Sequence, residues 1–164
     1  MSEEGGWKPP DPGDPNPTYQ GVTQRVYDGH RDSLGLPRQS VALMTAEERG
    51  EIYDSYWIAG RCGDIASYSS ELSVVHFDTV FNGGGAVVLQ RAVGVKDDGV
   101  IGPVTLAAVK AACAADAAAT VNKYLEQRLL RFESLTGWAA WGHIWVNREN
   151  ALAALVGSPW RAIV

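Results

Sequence analysis

Residues 72–93 read Leu72-Ser73-Val74-Val75-His76-Phe77-Asp78-Thr79-Val80-Phe81-Asn82-Gly83-Gly84-Gly85-Ala86-Val87-Val88-Leu89-Gln90-Arg91-Ala92-Val93. Leu72, Val75, His76, Thr79 and Val80 recur three and four apart, the spacing that brings side chains to one face of a helix. Gly83-Gly84-Gly85 breaks or sharply bends that pattern. The helical spacing resumes over residues 86–93, with Val88, Leu89 and Ala92 as its core face. Upstream, Thr45-Ala46-Glu47-Glu48 forms a capping box, in which a hydroxyl and a carboxylate satisfy amide donors reciprocally. The helix it opens carries Ile52, Tyr56 and Ala59 on one face and ends near Gly60. Thr23 caps another helix that Gly35 and Pro37 stop, with Val22, Val26 and His30 on one face. Downstream, residues 96–102 form a turn-rich loop around Asp98-Gly99. Pro103 suits the first position of a helix running to about residue 114. A further pattern over residues 117–135 sets Val121, Leu125, Arg128, Leu129 and Phe132 in a core stripe with charged flanks. Trp138, Trp141 and Trp145 form a stripe that reads most simply as core. Convincing period-two alternation occurs nowhere. The expected fold is all-α, five to seven helices, with β structure limited to a short hairpin in the N-terminal loop.

The chain has 164 residues, 46% of them hydrophobic, and a formal net charge of −5. That length fits a single compact domain over residues 1–164. The run over residues 111–119 is interrupted by Asp116 and falls short of the ~20 apolar residues that cross a bilayer, so membrane insertion is not expected. The start carries no cationic stretch followed by an apolar core, so no signal peptide is visible. The acidic balance argues against nucleic acid, which requires a basic face. Cys62 and Cys113 lack metal spacing. His76 and Asp78 lack a third ligand at fitting spacing, so His76 reads as a satisfied buried or rim histidine. Asp97-Asp98-Gly99 lacks the alternating oxygens of a calcium loop, and the triple glycine lacks the Lys-Ser/Thr of a phosphate loop. No metal or organic cofactor is implied.

Five prolines (Pro9, Pro10, Pro12, Pro15, Pro17) stiffen the opening, where they preclude a helix or a central strand. The same segment holds Glu3-Glu4-Gly5-Gly6-Trp7, then Asp11, Asp14, Thr18 and Tyr19. Two glycines after Glu4 leave its carboxyl open to a bulky ligand. Carboxylic acids and a hydroxyl converging from one constrained loop suit glycosidic hydrolysis: one carboxyl protonates the leaving oxygen and a second group positions water. The same residue types also make a solvated acidic turn.

The order of these motifs resembles glycoside hydrolase family 108, muramidases related in fold to lysozymes. Glu4-Gly5-Gly6-Trp7, Asp14-Pro15, Thr18 and Gly21-Val22-Thr23 are similar to its opening. Tyr53-Asp54-Ser55-Tyr56-Trp57 is similar to its Tyr-x-x-Tyr-Trp, and Phe77-Asp78 through Asn82-Gly83-Gly84 to its Phe-Asp-x-x-x-Asn-x-Gly. Leu89-Gln90-Arg91, Asp98-Gly99 through Leu106, and Trp145-Val146-Asn147-Arg148 look like the peptidoglycan-binding region that completes such proteins. The resemblance implies a lysozyme-like domain with a muramidase-like part over residues 1–84 and a peptidoglycan-binding part over 85–157. It implies cleavage of the β-1,4 bond between N-acetylmuramic acid and N-acetylglucosamine. Glu4 lands on the general acid, with Glu3 as its neighbouring alternative. Asp14 and Thr18 land on the water-holding positions, where Asp11 competes with Asp14. Expected substrate contacts are Trp7, Tyr19, Tyr53, Tyr56, Trp57, Asp78 and Asn82. The aromatic residues equally suit core packing, and Asp78 equally suits a cap or an ion pair.

Two departures bear on activity. Asn16-Pro17 replaces a glycine pair, which shifts Asp14. Only Met1, Ser2 and Glu3 precede Glu4, where relatives carry a helix. A catalytic acid needs apolar walls to raise its pKa, so catalytic impairment is the alternative that this departure opens. The alternatives are a peptidoglycan-binding module, or a phage or secretion structural protein using the same fold. The expected partner is peptidoglycan and the expected state a monomer. Without a visible signal, the expected route is cytoplasmic synthesis and holin-assisted release to the wall, as for phage endolysins.

Overall fold

The computed structural model describes residues 6–8 and 16–162. Within these the chain forms three two-residue strands, one 3₁₀ turn and seven α-helices, the all-α architecture expected from the spacing of apolar residues. It divides into two compact units, Met1–Ser55 and Tyr56–Val164.

In the first unit β1 (Trp7–Lys8), β2 (Thr18–Tyr19) and β3 (Val22–Thr23) pair antiparallel in chain order, Trp7 opposite Tyr19 and Thr18 opposite Thr23. The expected hairpin thus gains a third short strand. The β2–β3 turn is Gln20-Gly21, with φ of 48° and 79°. Two successive positive-φ residues match the right-handed twist of the strands, and Gly21 adopts this conformation without a Cβ clash. Helix α1 (Gln24–Ser33) starts where the Thr23 hydroxyl accepts from the Val26 amide. Helix α2 (Ala46–Ala59) opens on the capping box: the Glu48 amide donates to Thr45 Oγ1 at 3.2 Å, and the Thr45 amide donates to Glu48 Oε2 at 2.9 Å. Glu48 Oε2 also accepts from the Tyr27 hydroxyl at 2.6 Å, and Arg31 pairs with Oε1. Buried Val22, Tyr27, Val41 and Ile52 form the apolar interior of this unit.

In the second unit α3 (Cys62–Ala66), α4 (Ser70–Phe81), α5 (Gly85–Ala92), α6 (Pro103–Glu133) and α7 (Trp138–Leu155) surround one core. Helix α6 is the centre and packs against the other four. Its two sequence-predicted halves run as one element interrupted at Asp116, which is extended (φ −162°, ψ 99°). The Asp116 carboxylate accepts from the Ala119 amide at 2.9 Å and so caps the second half. Helix α6 is long and apolar enough to cross a membrane, yet its interruption and its fully buried Arg128 are features of a core helix. The triple glycine turns the chain between α4 and α5. A Cβ on Gly85 would lie 2.4 Å from Val80 Cγ2, and one on Gly84 2.2 Å from Arg131 Nε. At Gly85, where the neighbours include the Val80 backbone, only glycine permits that approach.

Two local readings need correction. Helix α3 had no periodic signal, because five residues hold too little pattern. The tryptophan stripe is not core: Trp141 is 55% exposed, and the buried face of α7 carries Gly142, Val146, Glu149, Leu152 and Ala153. Trp138 and Trp145 are half-buried and lean on each other, and Trp145 stacks on Phe132. A rotation by one residue position along the helix decides which ring faces inward, and Gly142 leaves room for the Trp138 ring over the backbone.

Candidate active site

Among the sequence-nominated catalytic residues, Thr18 lies within the described residues, whereas Glu4 and Asp14 lie outside them, as do their alternatives Glu3 and Asp11. Trp7 is described in its backbone alone, paired with Tyr19. Thr18 is half-buried on β2, and its hydroxyl donates to the Asn16 carbonyl at 3.4 Å, a long contact that leaves the hydroxyl available. The segment entering β2 is fastened to α1, because the Gln24 amide donates to the Pro17 carbonyl at 2.8 Å. The turn after Thr18 is held from α2: Tyr53 donates its hydroxyl to the Gln20 carbonyl at 3.0 Å, and Arg49 bonds the Gln20 amide oxygen. The Gln20 amide nitrogen donates to the Tyr19 hydroxyl. Tyr53 and Tyr19 thus stand at the hairpin that presents Thr18.

The nominated residues of the second unit cluster on α4 and the end of α2. Tyr56 meets Phe81 edge-on at 5.1 Å between ring centroids, and Trp57 tilts against Phe77 at 5.5 Å. Both rings stay partly open to solvent. Asp78 pairs with the buried Arg128, and Arg148 Nη2 donates to its other oxygen at 2.6 Å. Asn82, one turn on and exposed, donates to the Asp78 carbonyl at 2.7 Å. Burial opposes ionisation of Asp78, but hydrogen bonds from Arg148 and the charge of Arg128 outweigh it and hold the carboxyl below its ordinary range.

Sequence reading missed the rest of this cluster. Glu149 is fully buried 3.1 Å from Arg128 Nε, misaligned for a hydrogen bond. Burial pushes its carboxyl up to about 7; Arg128 offsets part of that, while Asp78 adds to it. Its signal was available: Glu149 falls on the apolar face with Val146, Leu152 and Ala153. Nearby in the same unit His76 is satisfied on both nitrogens, Nδ1 by the Tyr124 hydroxyl at 3.0 Å and Nε2 by the Gly60 carbonyl at 2.9 Å. Burial lowers its pKa to about 4, so the ring is neutral. Buried Gln90 organises the loop after α5: its amide nitrogen donates to Asp98 Oδ1 at 2.8 Å and the Val100 carbonyl at 3.0 Å, while its oxygen accepts from the Gly99 amide at 2.9 Å.

In the first unit a clamped hairpin presents a half-buried hydroxyl; in the second, a paired aromatic strip and an arginine-held carboxylate suit contacts to a polyhydroxylated chain. Comparison with known proteins defines this further. The family model for glycosyl hydrolase 108 matches residues 1–84. The chain belongs to the glycosyl hydrolase 108 family. A second model, described as a predicted peptidoglycan domain, matches residues 84–150. The solved structure of Brucella abortus SagA is similar at 26% identity, with a TM-score of 0.78, over 94% of this chain and 87% of that one. No curated protein matches. The two models meet at Gly84, within the glycine turn between α4 and α5. As a glycosyl hydrolase 108 protein with a peptidoglycan domain, the chain is a lysozyme-like glycosidase that acts on peptidoglycan. Within that family's matched region lie the Thr18 hairpin, the Tyr53–Trp57 strip and Asp78; Arg128, Arg148 and Glu149 lie within the second.

Proposed function

We propose that the chain is an N-acetylmuramidase that hydrolyses the β-1,4 bond between N-acetylmuramic acid and N-acetylglucosamine. Residues 1–84 carry the chemistry and residues 85–157 bind the wall. Glu4 donates its proton to the glycosidic oxygen as the bond to the anomeric carbon breaks. Water adds to that carbon, held by Asp14 or Thr18, and its proton leaves to the Asp14 carboxylate or to solvent. Trp7, Tyr19, Tyr53, Tyr56 and Trp57 stack on sugar faces, and Asp78 and Asn82 hydrogen-bond hydroxyl or amide groups. The protein works as a monomer. It is made in the cytoplasm and reaches the wall through a holin, since its substrate lies outside the membrane.

The observation that supports this reading most is the family match over the segment that contains Glu4-Gly5-Gly6, Asp14 and Thr18 in that order. Digestion of purified peptidoglycan, followed by mass analysis of the reducing ends, tests it. N-acetylmuramic acid at the new reducing ends is the expected product. N-acetylglucosamine there contradicts the bond assignment, and wall sedimentation of the protein without any lysis favours a binding module.

A further inference from the structure

The start of α4, the second half of α6 and the turn after α7 enclose a half-open cavity of about 330 Å³ in the second unit. Its floor is apolar: Ala117, Ala118, Val121 and Val156. The floor exists because Asp116 breaks α6 and the following turn carries small side chains. Two polar groups face this floor with their chemistry already fixed. Glu71 Oε2 accepts from the hydroxyls of Ser69 and Ser70, each at 3.1 Å. Its own backbone amide first, and those hydroxyls next, hold the carboxyl below its ordinary range, so it is an ionised acceptor with lone pairs to spare. Asn122 has its orientation set by Ser158, whose hydroxyl donates to Asn122 Oδ1 at 2.6 Å and accepts from the Trp160 amide at 3.1 Å. With Oδ1 occupied, what Asn122 contributes is its NH₂ group, a donor.

One strong acceptor, one amide donor and a small apolar wall are the complement of a secondary amide that ends in a methyl group. We propose that this cavity receives the acetamido group of an N-acetylated amino sugar. The ligand N–H donates to Glu71, its carbonyl accepts from Asn122, and its methyl packs on Ala117, Ala118 and Val121. A shallower groove lined by Ser70, Val74 and Leu155 shares Glu71 and Val156 with the cavity, so the next sugar of a strand has a path along the surface. A bare ammonium would satisfy Glu71 but leave Asn122 and the methyl wall unused. A sugar without the acetyl group would leave the wall empty and the amide unpaired, a loss that such sites discriminate strongly. This inference rests on the reading that the chain acts on peptidoglycan, and it adds a glycan contact on the second unit.

The test titrates the full chain with three soluble tetramers: N-acetylglucosamine, its fully de-N-acetylated form, and glucose in β-1,4 linkage. Binding is read by calorimetry and by tryptophan fluorescence. The N-acetylated tetramer is expected to bind at least about tenfold more tightly than the other two. Ala118→Phe, which fills the cavity from an exposed position, and Asn122→Ala are each expected to weaken that binding about tenfold or more. An unchanged melting profile for Ala118→Phe shows that the loss is local. Equal binding of all three tetramers, tighter binding of the de-N-acetylated one, or native-like binding by Ala118→Phe overturns the proposal. Wall lysis is measured on the same samples. Lysis with cavity variants that bind like the native chain sinks the cavity and leaves the muramidase reading standing. Acetyl-selective binding without lysis does the reverse.

Discussion

Tyr53 donates its hydroxyl to the carbonyl oxygen of Gln20 at 3.0 Å. Gln20 holds a left-handed backbone (φ 48°) immediately before Gly21 (φ 79°), two residues beyond Thr18. The tyrosine of an α2 motif therefore anchors the turn that sets the path of β2. In the proposed mechanism it is a positioning residue: it fixes the strand on which Thr18 meets water.

Replacing Tyr53 with Phe removes that bond, which is expected to lower stability by about 1 kcal/mol. Gly21→Ala forces a Cβ into a left-handed residue at about 1–2 kcal/mol. Both variants are expected to lower wall hydrolysis in proportion to the loosened hairpin while retaining helical circular dichroism. Melting curves and turbidity assays on the same samples check this; a destabilised hairpin with undiminished lysis removes Thr18 from the mechanism.

Asp78→Asn removes the carboxylate that bonds the buried guanidinium of Arg128 and leaves it facing only Glu149, which is misaligned for a hydrogen bond. Uncompensated buried charge is costly, so a loss of about 3 kcal/mol is expected by denaturant titration. Arg148→Lys keeps a charge at the partly exposed side of the cluster and is expected to cost less than half as much. Equal losses for the two variants would mean that burial of Arg128 does not set the energetics.

The pH dependence of stability separates two buried groups with opposite signs. His76 binds a proton near 6.5 when unfolded and near 4 when folded, so its contribution falls as pH drops through that window. Glu149 has an ordinary value of 4.5 and a folded value of about 7, so the folded chain keeps a proton that the unfolded chain has lost. Its contribution is full below 4.5 and is lost as pH rises to about 7. The two oppose each other between 4.5 and 6.5. Glu149→Gln removes one of them. The native-minus-variant stability difference is expected to fall as pH rises across that window, by up to about 1.4 kcal/mol per pH unit. Parallel curves would show that Glu149 does not take up a proton on folding.

Gly85→Ala places a methyl group 2.4 Å from Val80 Cγ2 and 3.0 Å from its backbone. Because backbone limits the relief available, a loss of about 2 kcal/mol is expected. Thermal unfolding of Gly85→Ala beside Gly83→Ala, where a Cβ meets nothing within 4 Å, separates crowding from backbone conformation.

What could be read in advance was local. The capping box at Thr45 and Glu48, the stop at the triple glycine and the break near Asp116 all sit where short-range chemistry demanded them. The cluster around Asp78 was not legible, because its arginines lie 50 and 70 residues away and pattern reading does not span such distances. Arg128 left a trace, a cation at a core position of α6 between Leu125 and Phe132. The stripe of tryptophans misled because hydrophobicity alone does not say which of two adjacent helix faces is inward; Gly142 and Glu149 on the buried face decided that.

The proposed chemistry turns on the carboxyl of Glu4. Glu4→Gln preserves size and hydrogen-bonding shape while removing the transferable proton. Release of reducing ends from purified peptidoglycan by the native chain and by this variant, at equal concentration and fold content, is the most direct measurement. The variant is expected to lose about 100-fold or more of the native rate while still sedimenting with walls. A variant that hydrolyses walls at the native rate contradicts the assignment of Glu4 as the general acid.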